Sequence, residues 1–150
     1  MFEAVQESLP TNIAVCTAAV ADFKSKTSEK KIKKQGKDLS VSLEENLDIL
    51  NYISTHNELR PDLVVGFAAE TNNIKQYALE KLRKKHCDWI VANDVSNKEI
   101  GFNSNKNEVT IFKQDEQFET VSKRDKSEVA SILVKQILNE FKIHEGKSLN

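Results

Sequence analysis

Glycine is scarce in this chain, four residues in 150, and neither a GxxxxGK(S/T) nor a GxGxxG run occurs. The two best-known phosphate-cradling loops are therefore absent. So is the glycine fingerprint, with its acidic ribose ligand, that a nicotinamide-dependent dehydrogenase or reductase needs. Cysteine is equally sparse. Cys16 and Cys87 lack metal-ligand spacing and sit in or beside apolar runs, where buried free thiols are common; a reducing, cytoplasmic setting is expected. His56, His86 and His144 are scattered, with no serine, cysteine or carboxylate at a motif spacing, so neither a nucleophile triad nor a zinc site is indicated. No stretch approaches the ~20 apolar residues of a membrane span, and the first fifteen residues lack a basic segment followed by an apolar one. Neither export nor anchoring is expected. A dominant charge sign is missing too: 22 basic against 23 acidic side chains give no bulk argument for a nucleic-acid or membrane partner.

What remains is a composition of 39% apolar and 30% charged residues, that of one globular domain over 1–150 with a single core. Strand-length apolar runs alternate with helix-period segments, which predicts an α/β fold with a mainly parallel sheet. The strands fall on Ile13–Ala21, whose continuous apolarity suits burial on both faces, on Leu63–Ala69 and on Trp89–Ala92. A short helix precedes the first, over Phe2–Leu9. Asp48–His56 and Asn73–Lys85 have helical spacing, with N-cap candidates at Thr71–Asn73. Val109–Phe112 and Phe118–Val121 form a hairpin. Asp125 and Glu128 stand at capping-box spacing before a terminal helix marked by Val129, Ile132, Leu133, Ile137 and Phe141. Beyond it, 142–150 is a polar tail expected to fray.

Three strand-to-loop junctions concentrate small and polar residues: AAVADF at Ala18–Phe23, GFAAETNN at Gly66–Asn73 and VANDVS at Val91–Ser96. In a doubly wound sheet such strand ends line one edge and form a ligand crevice. Small side chains let a base or phosphate reach backbone amides, though they equally let helices pack closely on a sheet. The segment Lys24–Lys37 carries seven lysines without an amphipathic period. It reads as a solvated loop, as a nucleic-acid patch thinly supported by Phe23 alone, or as a triphosphate flap. One lysine about 4 Å from a phosphate oxygen gains roughly 4 kcal/mol at an effective dielectric near 20. Lys81 and Lys85 share a helix face, while Glu80 and Lys84 form a surface pair on another. Asp22 and Asp48 are turn or cap residues, or ligands of a hydrated Mg²⁺ beside phosphate oxygens.

AAVADF, EKKIKK (Glu29–Lys34), ENLDIL (Glu45–Leu50), VVGFAAETNN (Val64–Asn73), KLRKKHCDWIVANDVS (Lys81–Ser96) and GFNSNKN (Gly101–Asn107) follow one another in a characteristic order. From about residue 1 to about residue 141 the chain thereby resembles the phosphopantothenate–cysteine ligase (phosphopantothenoylcysteine synthetase) half of the bacterial bifunctional coenzyme A biosynthesis enzymes. The resemblance implies a Rossmann-like three-layer sandwich. It also implies a two-step reaction: CTP converts the carboxylate of 4'-phosphopantothenate to an acyl-cytidylate with loss of pyrophosphate, and the amino group of cysteine then displaces CMP.

Carried onto matching positions, the nucleotide contacts fall on Cys16, Thr17, Ala18 and Asp22, on Lys31, on Leu47, Asp48, Ile49 and Leu50, and on Phe67, Lys81 and Lys85. Lys31 becomes the catalytic cation of the flap and Asp22 the Mg²⁺ ligand. The family's upstream GGT-type strand end and Asn-x-Ser-Ser-Gly stretch are absent, as is its decarboxylase domain, and Leu47 stands where the family has proline. The chain thus looks N-terminally truncated relative to the family. Pairing with a second copy, or with a separately encoded N-terminal piece, is expected to cover the exposed sheet edge. A catalytically silent or partner-dependent nucleotide-binding fragment is the competing reading.

Overall fold

A computed structural model describes residues 1–27, 40–96 and 104–147, with side chains as far as 141. In chain order the elements are α1 (Phe2–Glu7), β1 (Ile13–Cys16), β2 (Phe23–Ser25), β3 (Leu43–Glu45), α2 (Ile49–Ser54), β4 (Leu63–Glu70), α3 (Ile74–Lys85), β5 (Trp89–Asp94), β6 (Lys106–Lys113), β7 (Phe118–Asp125) and α4 (Lys126–Lys147). Five strands form one sheet in the order β1-β4-β5-β6-β7. β1, β4 and β5 run parallel, whereas β6 and β7 add an antiparallel hairpin.

Alternation along the strands sends successive side chains to opposite faces. Leu63 and Val65 of β4, with Trp89 and Val91 of β5, pack beneath Val129, Leu133 and Ile137 of α4. Val64 and Ala68, with Ile90 and Ala92, meet Ile53 of α2 and Ala78 and Leu82 of α3 on the other side. The result is the expected three-layer α/β/α arrangement, with β4 and β5 covered on both faces. Gly66 of β4 permits a close approach there: a Cβ would stand 2.6 Å from Leu50 Cδ2 and 2.9 Å from Ile90 Cδ1.

Several expectations are corrected. β1 ends at Cys16 rather than Ala21, and it is not buried on both faces, since Val15 is 43% exposed. It lies at the sheet edge, pairing among the described residues with β4 alone, from Ile13↔Leu63 to Cys16↔Gly66. The small residues that follow have little apolar area to gain by continuing in the ladder. At the start of what reads as a charged loop, β2 takes in Lys24 and forms with β3 a separate two-stranded antiparallel ribbon, with Lys24 Nζ 3.3 Å from Glu44 Oε1. Three exposed residues a side leave no alternation to detect. Asn73 is the N-cap of α3, but through a left-handed backbone (φ 44°) and without a side-chain hydrogen bond. Glu80 accepts from Gln76 Nε2 at 2.9 Å, and no Glu80–Lys84 ion pair forms among the described residues. At α4, Glu128 Oε2 accepts the Asp125 N–H at 3.3 Å, the reach-back half of a capping box. The helical backbone runs on to Lys147; residues 148–150 lie outside the described residues.

At the N-terminal ends of the parallel strands, Arg60 ties four elements together. Its Nε donates to Ser54 O at the end of α2 (2.8 Å), Nη1 to Pro61 O (2.8 Å), and Nη2 to His86 O after α3 (3.3 Å). Nη2 also meets both carboxylate oxygens of Asp88 at 3.0 and 3.1 Å. Asp88 Oδ2 in turn accepts the Val64 N–H at 2.7 Å. Arg60→Ala strips donors from several half-buried acceptors, and hydrogen bonds to charged groups contribute about 1.5–3 kcal/mol. A loss of about 2–3 kcal/mol of unfolding free energy is expected in a urea titration; an unchanged midpoint would contradict this latch.

Candidate functional site

At the opposite, C-terminal edge of the parallel strands a cleft of about 690 Å³ opens, where a doubly wound sheet places its ligands. Its first wall is the end of β1 and the stretch beyond, bringing in Cys16, Thr17, Ala18 and, at the rim, Asp22. A second wall is the β3–α2 junction and the first turn of α2, with Leu47, Asp48, Ile49 and Leu50. Phe67 and the alanines after it come from β4, and Lys81 and Lys85 project from α3. Every sequence-predicted site residue that the structure describes therefore lines one cavity. Lys31 lies outside the described residues.

The cleft also contains residues the sequence did not single out individually. Asn46, Asn93 and Asn107 fall inside motifs already marked, ENLDIL, VANDVS and GFNSNKN, but carried no separate signal. Val5 of α1 and Lys126 at the start of α4 had none, because only tertiary packing brings α1 and α4 to this edge. A shallower depression of about 560 Å³ on the outer face of α3 runs from Asn73 to Arg83. It holds none of the predicted residues, and Arg83 there is already paired with Glu116 at 2.6 Å.

The electrostatics centre on Asp48 and Lys85. Asp48 Oδ1 accepts the Asn51 N–H at 3.0 Å and so caps α2, while Oδ2 pairs with Lys85 Nζ. Burial opposes ionisation of Asp48. The Lys85 ammonium, the Asn51 amide and the charge of Lys84 together outweigh it and hold the carboxyl below its ordinary value of 3.8. Both oxygens are thus engaged, which leaves Asp48 less suited than Asp22 to a metal. Lys81 has no ion-pair partner among the described residues, and it stands half-buried on the same helix face. Burial disfavours the thiolate of both cysteines: it raises the Cys16 thiol, and pushes that of Cys87 up to about 12. Among the described residues no group of three or more histidine, cysteine or acidic side chains gathers as a metal cage. None of the described helices is long and apolar enough to cross a membrane.

Chemically, this is a crevice of backbone and small side chains with cations along one flank, suited to a planar base and an attached chain of phosphates. Residues 1–141 match the family described as DNA/pantothenate metabolism flavoprotein C-terminal domain. The coenzyme A biosynthesis bifunctional protein CoaBC of Haemophilus influenzae is 38% identical over 143 residues, covering 94% of this chain and 35% of that protein. Its counterpart in Escherichia coli is 45% identical over 108 residues, 69% of this chain and 26% of that protein. The crystal structure of the C-terminal domain of a CoaBC protein superposes with a TM-score of 0.72 at 32% identity, covering 94% of this chain and 61% of that one. The chain thus spans about a third or less of the bifunctional relatives it matches.

Asparagine caps a helix as well as aspartate does, so Asp48→Asn removes the charge and keeps the cap. A carboxyl whose folded pKa is depressed stabilises the fold above its unfolded value and loses that contribution as pH falls through the folded one. Wild type should therefore exceed Asp48→Asn in stability above about pH 4, by no more than about 1 kcal/mol given partial exposure. The gap should close as the pH drops below 3.8; a gap independent of pH in paired melting curves would show that the Lys85 pairing contributes nothing.

Proposed function

The chain belongs to the DNA/pantothenate metabolism flavoprotein C-terminal domain family, and from that membership we propose that its cleft performs the ligase step of coenzyme A biosynthesis. CTP converts the carboxylate of 4'-phosphopantothenate into an acyl-cytidylate, releasing pyrophosphate. The amino group of cysteine then attacks the acyl carbon and CMP leaves, giving 4'-phosphopantothenoylcysteine. The activation is chemically necessary because a carboxylate is a poor electrophile until one oxygen becomes part of a good leaving group.

The observation that carries this reading is the convergence of Ala18, Phe67 and Lys85, from three separate elements, on one cleft. In this assignment the backbone at Cys16, Thr17 and Ala18 and the Leu47–Leu50 turn receive the nucleoside, and Phe67 offers it an apolar floor. Lys81 meets the phosphates without first breaking an ion pair, whereas Lys85 must be shared with Asp48. Lys31 supplies charge to the triphosphate as negative charge develops. A hydrated Mg²⁺ takes one or two carboxylates together with phosphate oxygens and water, a demand that Asp22 at the rim fits. When bound, the ion offsets phosphate charge.

Among the described residues β1 presents one unpaired ladder edge, and such an edge is commonly covered by another chain. This supports assembly as a homodimer or with a decarboxylase-bearing piece. The same edge fits a second reading, in which the chain binds nucleotide but turns over only with a partner or not at all.

Incubation of the full chain with CTP, Mg²⁺, 4'-phosphopantothenate and cysteine is expected to release pyrophosphate. Lys31→Gln should fold normally and lower that rate by roughly a hundredfold or more. Calorimetric uptake of CTP without pyrophosphate would select the silent fragment, and absence of any uptake would refute both readings.

A further inference from the structure

Asn46 sits between β3 and the α2 cap, half-buried in the second wall of the cleft. Its side-chain Nδ2 donates to Ala21 O at 2.7 Å, and its own backbone N–H donates to Asp22 O at 2.8 Å. Outside the strand ladders, these are the hydrogen bonds between described residues that reach the Ala18–Asp22 stretch. The stretch has no regular secondary structure and is exposed throughout. Before Asp22 it consists of three alanines and a valine, which have no polar side-chain atoms with which to fix their own backbone.

From this geometry we infer that Asn46 is a positioning residue. By gripping two successive carbonyls it holds the Ala18–Asp22 backbone in the shape that faces a nucleotide, and so couples the first wall of the cleft to the second. The inference rests on the ligase reading above and adds to it a residue which touches other residues rather than the reacting atoms. A free run of small residues samples many conformers, and the freedom lost on binding weakens affinity; a run already pinned loses less. Asn46 also stands at the open end of the β2–β3 ribbon. A purely structural role, closing that ribbon, would affect stability and leave affinity alone.

Asn46→Asp separates the two. It has nearly the same shape and keeps the backbone N–H, but its carboxylate has no donor for the Ala21 carbonyl. Asn46→Ala removes the donor without adding charge. In the full chain, both variants are expected to bind CTP with Mg²⁺ about tenfold more weakly by calorimetry, the order of a lost hydrogen bond plus lost preorganisation. Melting temperatures should be nearly unchanged, and the 18–22 amides should exchange with deuterium faster. Wild-type affinity in both variants would overturn the inference while leaving the ligase reading intact, as would a lowered melting temperature with affinity preserved. If wild type itself takes up no CTP, the ligase reading falls, and amide exchange at 18–22 alone decides: faster exchange in the variants supports the pin, and equal exchange overturns it.

Discussion

The architecture depends on how the chain satisfies polar backbone groups at the lower edge of its sheet, where Arg60 and Asp88 meet. Parallel strands begin and end in loops, and each crossover brings carbonyls and amides close to an apolar core that cannot hydrogen-bond them. Arg60 presents its donors in a rigid planar fork, and here that fork serves the end of α2, the chain entering β4 and the end of α3 at once. Asp88 neutralises the guanidinium and spends one oxygen on the Val64 amide of β4. The strands that build the cleft are thus registered from below. Stability is concentrated at one edge of the sheet, and the other is free to carry exposed polar and small residues.

That separation explains the character of the cleft. Part of its lining stays outside the core: Thr17 through Asp22 are exposed, and Lys81 and Lys85 are half-buried. Depth comes from Gly66, whose missing side chain lets Leu50 settle onto β4, and from the alanines beyond Phe67. Charge is arranged economically. Lys85 is kept in place by Asp48, and Asp48 is kept in place by capping a helix.

Much of this was legible in the residue order. β4 and β5 announce themselves because strands covered on both faces must be apolar at successive positions, and α3 and α4 because one face of each meets the sheet. The cleft was legible as three strand-end junctions, since parallel topology forces them onto one edge. Other features left no trace. Arg60 is invisible because most of its acceptors are backbone carbonyls and its one side-chain partner lies 28 residues away. The β2–β3 ribbon has too few residues to show alternation, and Asn46 looks like any turn asparagine until its two carbonyls are seen. β1 was misjudged for a related reason: hydrophobic runs report what a strand could bury, not how many neighbours it has.

The position of β1 carries a consequence for how the molecule moves. Its ladder joins Ile13 to Leu63, fifty positions further along the chain, so the closure entropy of that pairing is large, while the β6–β7 hairpin closes locally. Among the sheet strands β1 is the one whose departure costs the core least, and it carries the whole first wall of the cavity with it. Opening at β1 would therefore dismantle the cleft before it reaches the interior. Any molecule held there acts as a splint on the weakest seam, and occupancy and local order rise and fall together.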